Sequence, residues 1–443
     1  MTGSSEAEPP GVTGPADAGS VEPGSRAAIS ANAISPDPDS AGPAGRSAGG
    51  YRLLGTVAAA HSVSHMHSAL LPIIYPAVMA EFRLSYAALG MVMAIGDALG
   101  NLMQGSFGVL SKRVMRRTLL GVGNLALGLA MVLTALSGGF FSFLGGNVVG
   151  RLAKSPQHPV GSSLIADSFG KKLRGRALAV DFAGGNAGTL IVPFAGTYLV
   201  AAYGWRAALL VFALIPLVTG VLCFRLVPPD RRAAAPAGSA APGGRATRFA
   251  REFVAPLRHR PVLLVVLAAT LAAGGRGVGV ILVYIPLYLQ QSLGITGTGY
   301  AALFTLLMVG SVVGPLFMGH LSDVLSRGRV LAAAYVLSAA SMIALVTAGG
   351  RLWLLAPTIA AMGLVVYAQS SLVRALLADV SPDGERDAAY STFFVVSYLG
   401  GSVWSLVMGV VVDGRGFGAA FMLMAVSYLA ALAAVAAVRH SSE

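Results

Sequence analysis

Cysteine is nearly missing from this chain. Cys223 is the one thiol in 443 residues, so no intrachain disulfide can form and no redox pair is available. Charge is scarce as well. Asp, Glu, Lys and Arg make up 11% of the residues, against about a quarter in a soluble domain. With 55% of the residues hydrophobic, that deficit excludes an ordinary water-soluble fold and indicates a chain that crosses a membrane many times. The start of the chain lacks the basic end, apolar core and small-residue cleavage site of a secretory signal. No Gly-x-x-x-x-Gly-Lys-Ser/Thr run occurs, so ATP is not an evident energy source. Acids are outnumbered 19 to 31 by Lys and Arg, for a net charge of +12. In a soluble protein that excess would suggest nucleic acid. Here the bases gather in short loops between apolar runs, which points to membrane topology, and no nucleic-acid partner is expected.

What the chain does have is apolar length. Twelve stretches approach or exceed the ~20 residues that span a hydrocarbon core. Six lie near 53–80, 86–110, 118–137, 140–166, 177–202 and 206–226. Six more lie near 261–290, 298–321, 330–349, 352–379, 389–412 and 417–438. They are called segments one to twelve. The expected organisation is a disordered tail rich in Pro, Gly, Ser and Ala (1–50), a six-helix bundle (51–226), a basic linker (227–260), a second six-helix bundle (261–438) and a short tail (439–443). With both tails in the cytoplasm, 23 Lys and Arg fall inside, four within spans, and only Arg83, Arg206, Arg351 and Arg415 outside. The positive-inside rule demands that orientation. Abundant alanine, and arginine in excess of lysine, is a composition associated with bacteria, so the inner (plasma) membrane is the expected location.

The halves repeat one another. SYAALG at 85–90 is matched by GYAALF at 299–304, GVLSKRVMRR at 108–117 by GHLSDVLSRG at 319–328, and LIAD at 164–167 by LLAD at 376–379. The fold class is therefore all-α integral membrane, with twelve transmembrane helices in two pseudo-symmetric six-helix bundles. Parallel repeats of this kind place a binding site between the halves near the midplane.

Polar residues inside the apolar runs mark where that site lies. Segment four carries Arg151, Lys154 and His158 on one helix face, at i, i+3 and i+7. A charge at such depth faces protein or a water-filled cavity. Pro156 and Pro159 loosen the helix beside it, which is tolerable where a cavity lies. Segment one carries His61, His65 and Ser68 on one face, while His67 points elsewhere. Histidine titrates near neutral pH, so His61 and His65 are candidates for proton uptake and release, or else neutral hydrogen-bonding rings. Asp97 shares a face of segment two with Asn101 and Gln104. It is either a proton carrier or the ion-pair partner of Arg151 or Lys154. Asp167, Asp181 and Asp379 lie near basic loops and are expected to pair with them. Arg206 beside Trp205 reads as an interfacial anchor. Arg276 lies midway along segment seven, and Arg374 in segment ten faces the cavity or snorkels. Arg151, Lys154, Arg276 and Arg374 against Asp97 make the cavity net positive, which favours anionic or zwitterionic solutes. Arginine suits phosphate, phosphonate or carboxylate groups.

Six plus six helices with a long internal linker resemble the major facilitator superfamily, over nearly all of Tyr51 to Val438. The loop after segment two in that family reads Gly-x-Leu-Ala-Asp-Arg-x-Gly-Arg-Arg. Gly108, Leu110, Arg113, Arg116 and Arg117 match it, while Lys112 replaces the acid and Met115 a glycine. The second copy keeps Gly319, Leu321, Asp323 and Arg327. The resemblance implies a gating role for Gly108, Arg113, Gly319, Asp323 and Arg327. A narrower similarity is to fosmidomycin-resistance-type transporters, carried by His61 with Pro76, by His158-Pro159, and by Gly184-Gly185-Asn186-Ala187-Gly188 with Pro193. Arg151 is similar to the segment-four arginine of proton-coupled exporters. The glycine run with Asn186 and Pro193 also reads physically as close helix packing.

The expected function is a secondary active transporter of a small anionic or zwitterionic solute, coupled to protons and working as a drug-resistance-type efflux antiporter by alternating access. Substrate contacts fall to Arg151, Lys154, His158, Arg276 and Arg374, and coupling to Asp97, His65 and His61. The alternatives are a proton-coupled importer of an organic anion and a non-transporting membrane solute sensor on the same scaffold. The expected partners are solute, protons and the lipid bilayer, with the chain working as a monomer. No nucleophile–base–acid constellation stands out, so an enzyme is not expected. No cofactor is implied. A metal site is not expected either, because no Cys or acid accompanies His61 and His65 at ligand spacing.

Overall fold

The computed structural model describes residues 48–111, 113–229, 254–275, 277–382 and 386–439. Most of the expected N-terminal tail and linker, and Arg276 itself, lie outside these residues. The regular structure of the described residues is all helical. In a bilayer the backbone finds no water, so each crossing must satisfy its N–H and C=O groups internally.

Nine helices among the described residues are long and apolar enough to cross a membrane. Two of them are double. Lys171–Leu226 contains Gly204 at φ +81° and ψ 166°, and Arg386–Arg439 contains Gly416 at φ +79° and ψ 173°. That conformation cannot continue a helix and suits only glycine, so each residue ends one crossing and opens the next. Segment four is not among the nine because it is broken. Phe140–Lys154 and Gln157–Ser168 have 15 and 12 residues, each too few to span alone. The described residues thus make twelve crossings.

The break falls at Ser155 and Pro156. Proline lacks the N–H that a continuing helix requires, while Pro159 sits in the first turn of the new helix, where N–H groups have no helical partner anyway. Segment seven is interrupted as well. Arg260–Ala272 tightens into a 3₁₀ turn at Ala273–Gly275 and then loosens into π-helical turns at Gly277–Ile281 and Tyr288–Ser292. Carbonyls released there are taken up by other crossings: Trp404 Nε1 donates to Thr270 O at 3.0 Å, and the Tyr428 hydroxyl donates to Gly275 O.

The repeat is visible in the bonding. The Arg116 guanidinium reaches Asp167 at 2.8 Å, and Arg327 pairs with Asp379 at the corresponding place in the second half. These are the aspartates of LIAD and LLAD, fastened to the loops that follow segments two and eight. At the opposite end, Glu81 accepts from Trp205 Nε1 (2.8 Å) and Arg206 (2.6 Å), and Arg206 also donates to Ser137 O. The Arg206 guanidinium lies 4.2 Å from the Trp205 ring centroid, so it anchors segments one, three and six together. The halves meet at that same end. Asp413 accepts from the backbone N–H of Tyr86 (2.9 Å) and Ala87 (2.7 Å), at the start of segment two. A carboxylate is favoured there by the helix dipole. The Tyr86 hydroxyl also donates to Gln291. Leu129, Leu133, Phe141, Leu214, Leu316 and Val403 stand exposed on the outer surface, as acyl chains demand.

Candidate functional site

The polar stripe of segment four meets segments one and two. Arg151 forms an ion pair with Asp97, and their side chains are 11% and 27% exposed. Two glycines admit the arginine. A Cβ on Gly96 would stand 2.5 Å from Arg151 Cδ, and one on Gly100 would stand 3.3 Å from Arg151 O. One helical turn on, Lys154 Nζ donates to Ser68 Oγ at 2.6 Å and has no carboxylate partner among the described residues. One turn further, where the helix restarts, His158 is exposed toward the interior and meets the face of segment one. Its ring centroid lies 4.8 Å from that of His61 and 6.0 Å from that of His65, and His61 and His65 lie 4.8 Å apart. The faces read from helical periodicity on segments one, two and four thus converge on one another. His67 is buried on the other side of segment one, where Gly150 packs against its ring.

Arg374 brings the second half to the site. Its charge and that of Lys154 lie within electrostatic range of His158. Arg374 Nε donates to the Ser370 carbonyl, and among the described residues its guanidinium has no carboxylate partner. It lines a partly open cavity with Gln369, Ser370, Tyr398, Phe393 and Tyr335. Gln369 is held by donation to Ser338 Oγ at 2.7 Å. Lys154 lines a separate small pocket within the first half, with Ser64, Asn124 and Gln157, so the two cations are linked through His158, on which both act.

One expectation needs correction. Asp181 does not pair with a basic loop. It is buried, and its Oδ2 accepts from His61 Nδ1 at 3.1 Å. Helical phase turns it away from the loop and onto segment one. Asp167 and Asp379 do pair with loop arginines, but through Arg116 and Arg327, while Arg113 is exposed. Gly108 and Gly319 lie within the helices Tyr86–Leu110 and Gly297–Val324. The side chain of Asp323 and all of Arg276 fall outside what is described. The glycine run lies against segment one. A Cβ on Gly184 would meet Ala58 at 3.1 Å, one on Gly185 would meet the His61 ring at 2.9 Å, and one on Gly188 would meet Ser62. Asn186 accepts from Thr189 through its carbonyl, and Pro193 is buried. The sequence reading missed the His61–Asp181 contact. The spacing of His61 from Asp181 carries no periodic signal, so only the helix pairing reveals it.

The family model of the Major Facilitator Superfamily matches residues 57–303 and 265–443. A gallate transporter of Pseudomonas putida is 24% identical over 399 residues, covering 84% of this chain and 88% of that protein. The fosmidomycin resistance protein of Escherichia coli K12 is 26% identical over only 154 residues, 35% of this chain and 38% of that protein. The membrane sensor protein UhpC of the same organism is 21% identical over 380 residues, 80% of this chain and 83% of that protein. Among solved structures, a bacterial homologue of the human lysosomal transporter Spinster is similar in its inward-facing occupied form, with a TM-score of 0.69 at 15% identity, covering 87% of this chain and 96% of that chain. The unoccupied form gives 0.64 at 17%, covering 88% and 95%.

Proposed function

The chain belongs to the Major Facilitator Superfamily, and on that footing we propose that it is a secondary transporter of a small organic anion, driven by protons. The observation that carries the substrate class is the pair of cations Lys154 and Arg374, one from each half, both within electrostatic range of His158 and without a carboxylate partner among the described residues. Cations without counter-charge attract an anionic group and repel organic cations. His158, on which both act, and Arg151 belong to the proposed set as well, and Arg276 joins it by its place in segment seven. The likeness to a gallate transporter over most of the chain supports a carboxylate.

Coupling is assigned to Asp97. Its carboxylate is held by Arg151 and partly open to the cavity, so protonation would release Arg151 and substrate binding would compete for it. Export is the proposed direction, supported by the partial likeness to a fosmidomycin resistance protein, with both tails cytoplasmic in a bacterial inner membrane. The end closed by Asp413 on Tyr86 and Ala87 is then the external one, and the Arg116–Asp167 and Arg327–Asp379 loops, with Gly108, Arg113, Gly319 and Asp323, form the cytoplasmic gate. Import and solute sensing compete, on the likeness to the gallate transporter and to UhpC. Proteoliposomes distinguish the three. Labelled carboxylates or phosphonates should show counterflow, and an inward proton gradient should drive exit of the anion. Anion accumulation down the proton gradient would mean import, and specific binding without counterflow would mean a sensor.

A further inference from the structure

We propose that His61, His65 and His158 form a binding site for a divalent transition-metal ion, in the class that imidazole prefers (Zn²⁺, Co²⁺ or Ni²⁺). The ligand nitrogens that these three side chains can offer all lie within 4.8 Å of one another. Tetrahedral coordination at about 2.0–2.1 Å sets such nitrogens about 3.4 Å apart, so closure needs them to approach by up to about 1.4 Å, shared among three side chains and within reach of side-chain rotation. The two helices that supply them, segments one and four, are already packed at this level.

His61 carries the argument furthest. It is 1% exposed, and its Nε2 has no hydrogen-bond partner. Its other nitrogen, Nδ1, lies 3.1 Å from Oδ2 of buried Asp181. A carboxylate only accepts, so Nδ1 carries the proton and Nε2 presents its lone pair. A buried imidazole fixed from behind by a carboxylate and unsatisfied in front is the arrangement that outer-shell partners give to metal-bound histidine. Gly185 holds the ring in place, since any Cβ there would come 2.9 Å from it. His65 is half-buried and His158 exposed to the interior, so an ion can enter from the cavity and one coordination position stays open to it.

Lys154 and Arg374 lie within electrostatic range of this cluster and oppose a dication. Asp181 offsets part of that repulsion. The rest is offset by an anion drawn in by the same cations, whose oxygen fills the open position. The metal site needs neither the direction nor the coupling proposed above, so it stands or falls separately from them.

The test is equilibrium titration of untagged, detergent-purified full-length protein with Co²⁺ and Zn²⁺. Ligand-field absorption reports cobalt, and thermal unfolding reports zinc. Wild type is expected to show one saturable equivalent, a low-symmetry cobalt spectrum displaced by Zn²⁺, and zinc-dependent thermal stabilisation. His158→Ala should weaken that phase at least tenfold, and Asp181→Asn by roughly 10–100-fold, while His320→Ala, on an exposed face, leaves it unchanged. Because Asp181→Asn risks the fold, the exposed His158 provides the safer variant. Absence of a one-equivalent phase, or a phase that survives His158→Ala and His61→Ala unaltered, would overturn the proposal.

Discussion

The two halves share a frame and differ in what they hang on it. Arg116–Asp167 has its counterpart in Arg327–Asp379, and Gly204 has its counterpart in Gly416, with backbone angles within a few degrees. Segment four has no such counterpart. It carries Arg151, Lys154 and His158, whereas segment ten offers Gln369, Ser370 and a single Arg374. Segment two carries Asp97, while segment eight has no acid between 298 and 321. Polar groups that recur in both halves hold helices and loops together wherever the fold is used twice. Some unrepeated polar groups, such as Glu81 with Arg206, also tie helices together, but Asp97, Arg151, Lys154 and His158 instead gather beside segment one in the interior of the first half.

The comparison breaks first at Asp97. Asp97→Asn is expected to abolish solute movement driven by a pH gradient and to leave solute exchange largely intact. Gradient-driven flux in proteoliposomes that persists in this variant would remove Asp97 from coupling. Next come the unrepeated cations. Lys154→Ala or Arg374→Ala should weaken binding of a carboxylate or phosphonate by at least tenfold, within the roughly 2–5 kcal/mol expected when one partner of a buried charge contact is lost. Isothermal titration of folded variants measures this.

The smaller effects probe the frame. Gly96→Ala forces a Cβ to within 2.5 Å of Arg151 Cδ, which must move off its ion pair with Asp97. Overpacking of this kind costs about 1–3 kcal/mol, readable as a lowered Tm, and should impair coupling in parallel. Smallest is Arg327→Ala. Its pair with Asp379 is 37% and 48% exposed, so the loss should be at most about 1 kcal/mol. Arg116→Ala should cost more, because that arginine side chain is 6% exposed. Neither should change anion affinity, and a tenfold change in either would erase the distinction between repeated and unrepeated groups.

Hydropathy alone predicted the crossings closely, because a bilayer forces each apolar run into a helix. Segment four illustrates the limit. Its length as an apolar run was legible, and so was the loosening at Pro156 and Pro159, but the break falls at Ser155–Pro156 and leaves two short helices. Periodicity showed which residues share a face on one helix: His61 with His65 and Ser68, and Arg151 with Lys154 and His158. It did not show that these two faces touch, since which helix packs against which is not written in either repeat. For the same reason Asp181 was expected at a loop and is found behind His61, and a third histidine at the His61–His65 pair came from a separate segment.

The central claim is that Lys154 and Arg374 make one anion site between unlike halves. Ligand-dependent thermal unfolding of the purified full-length protein tests it most directly, with aromatic carboxylates and alkylphosphonates set against tetraphenylphosphonium. Wild type should be stabilised by the anions and not by the cation, and Lys154→Ala and Arg374→Ala should each lose most of that stabilisation while unfolding normally without ligand. Stabilisation by the lipophilic cation, unaltered in both variants, would contradict the account.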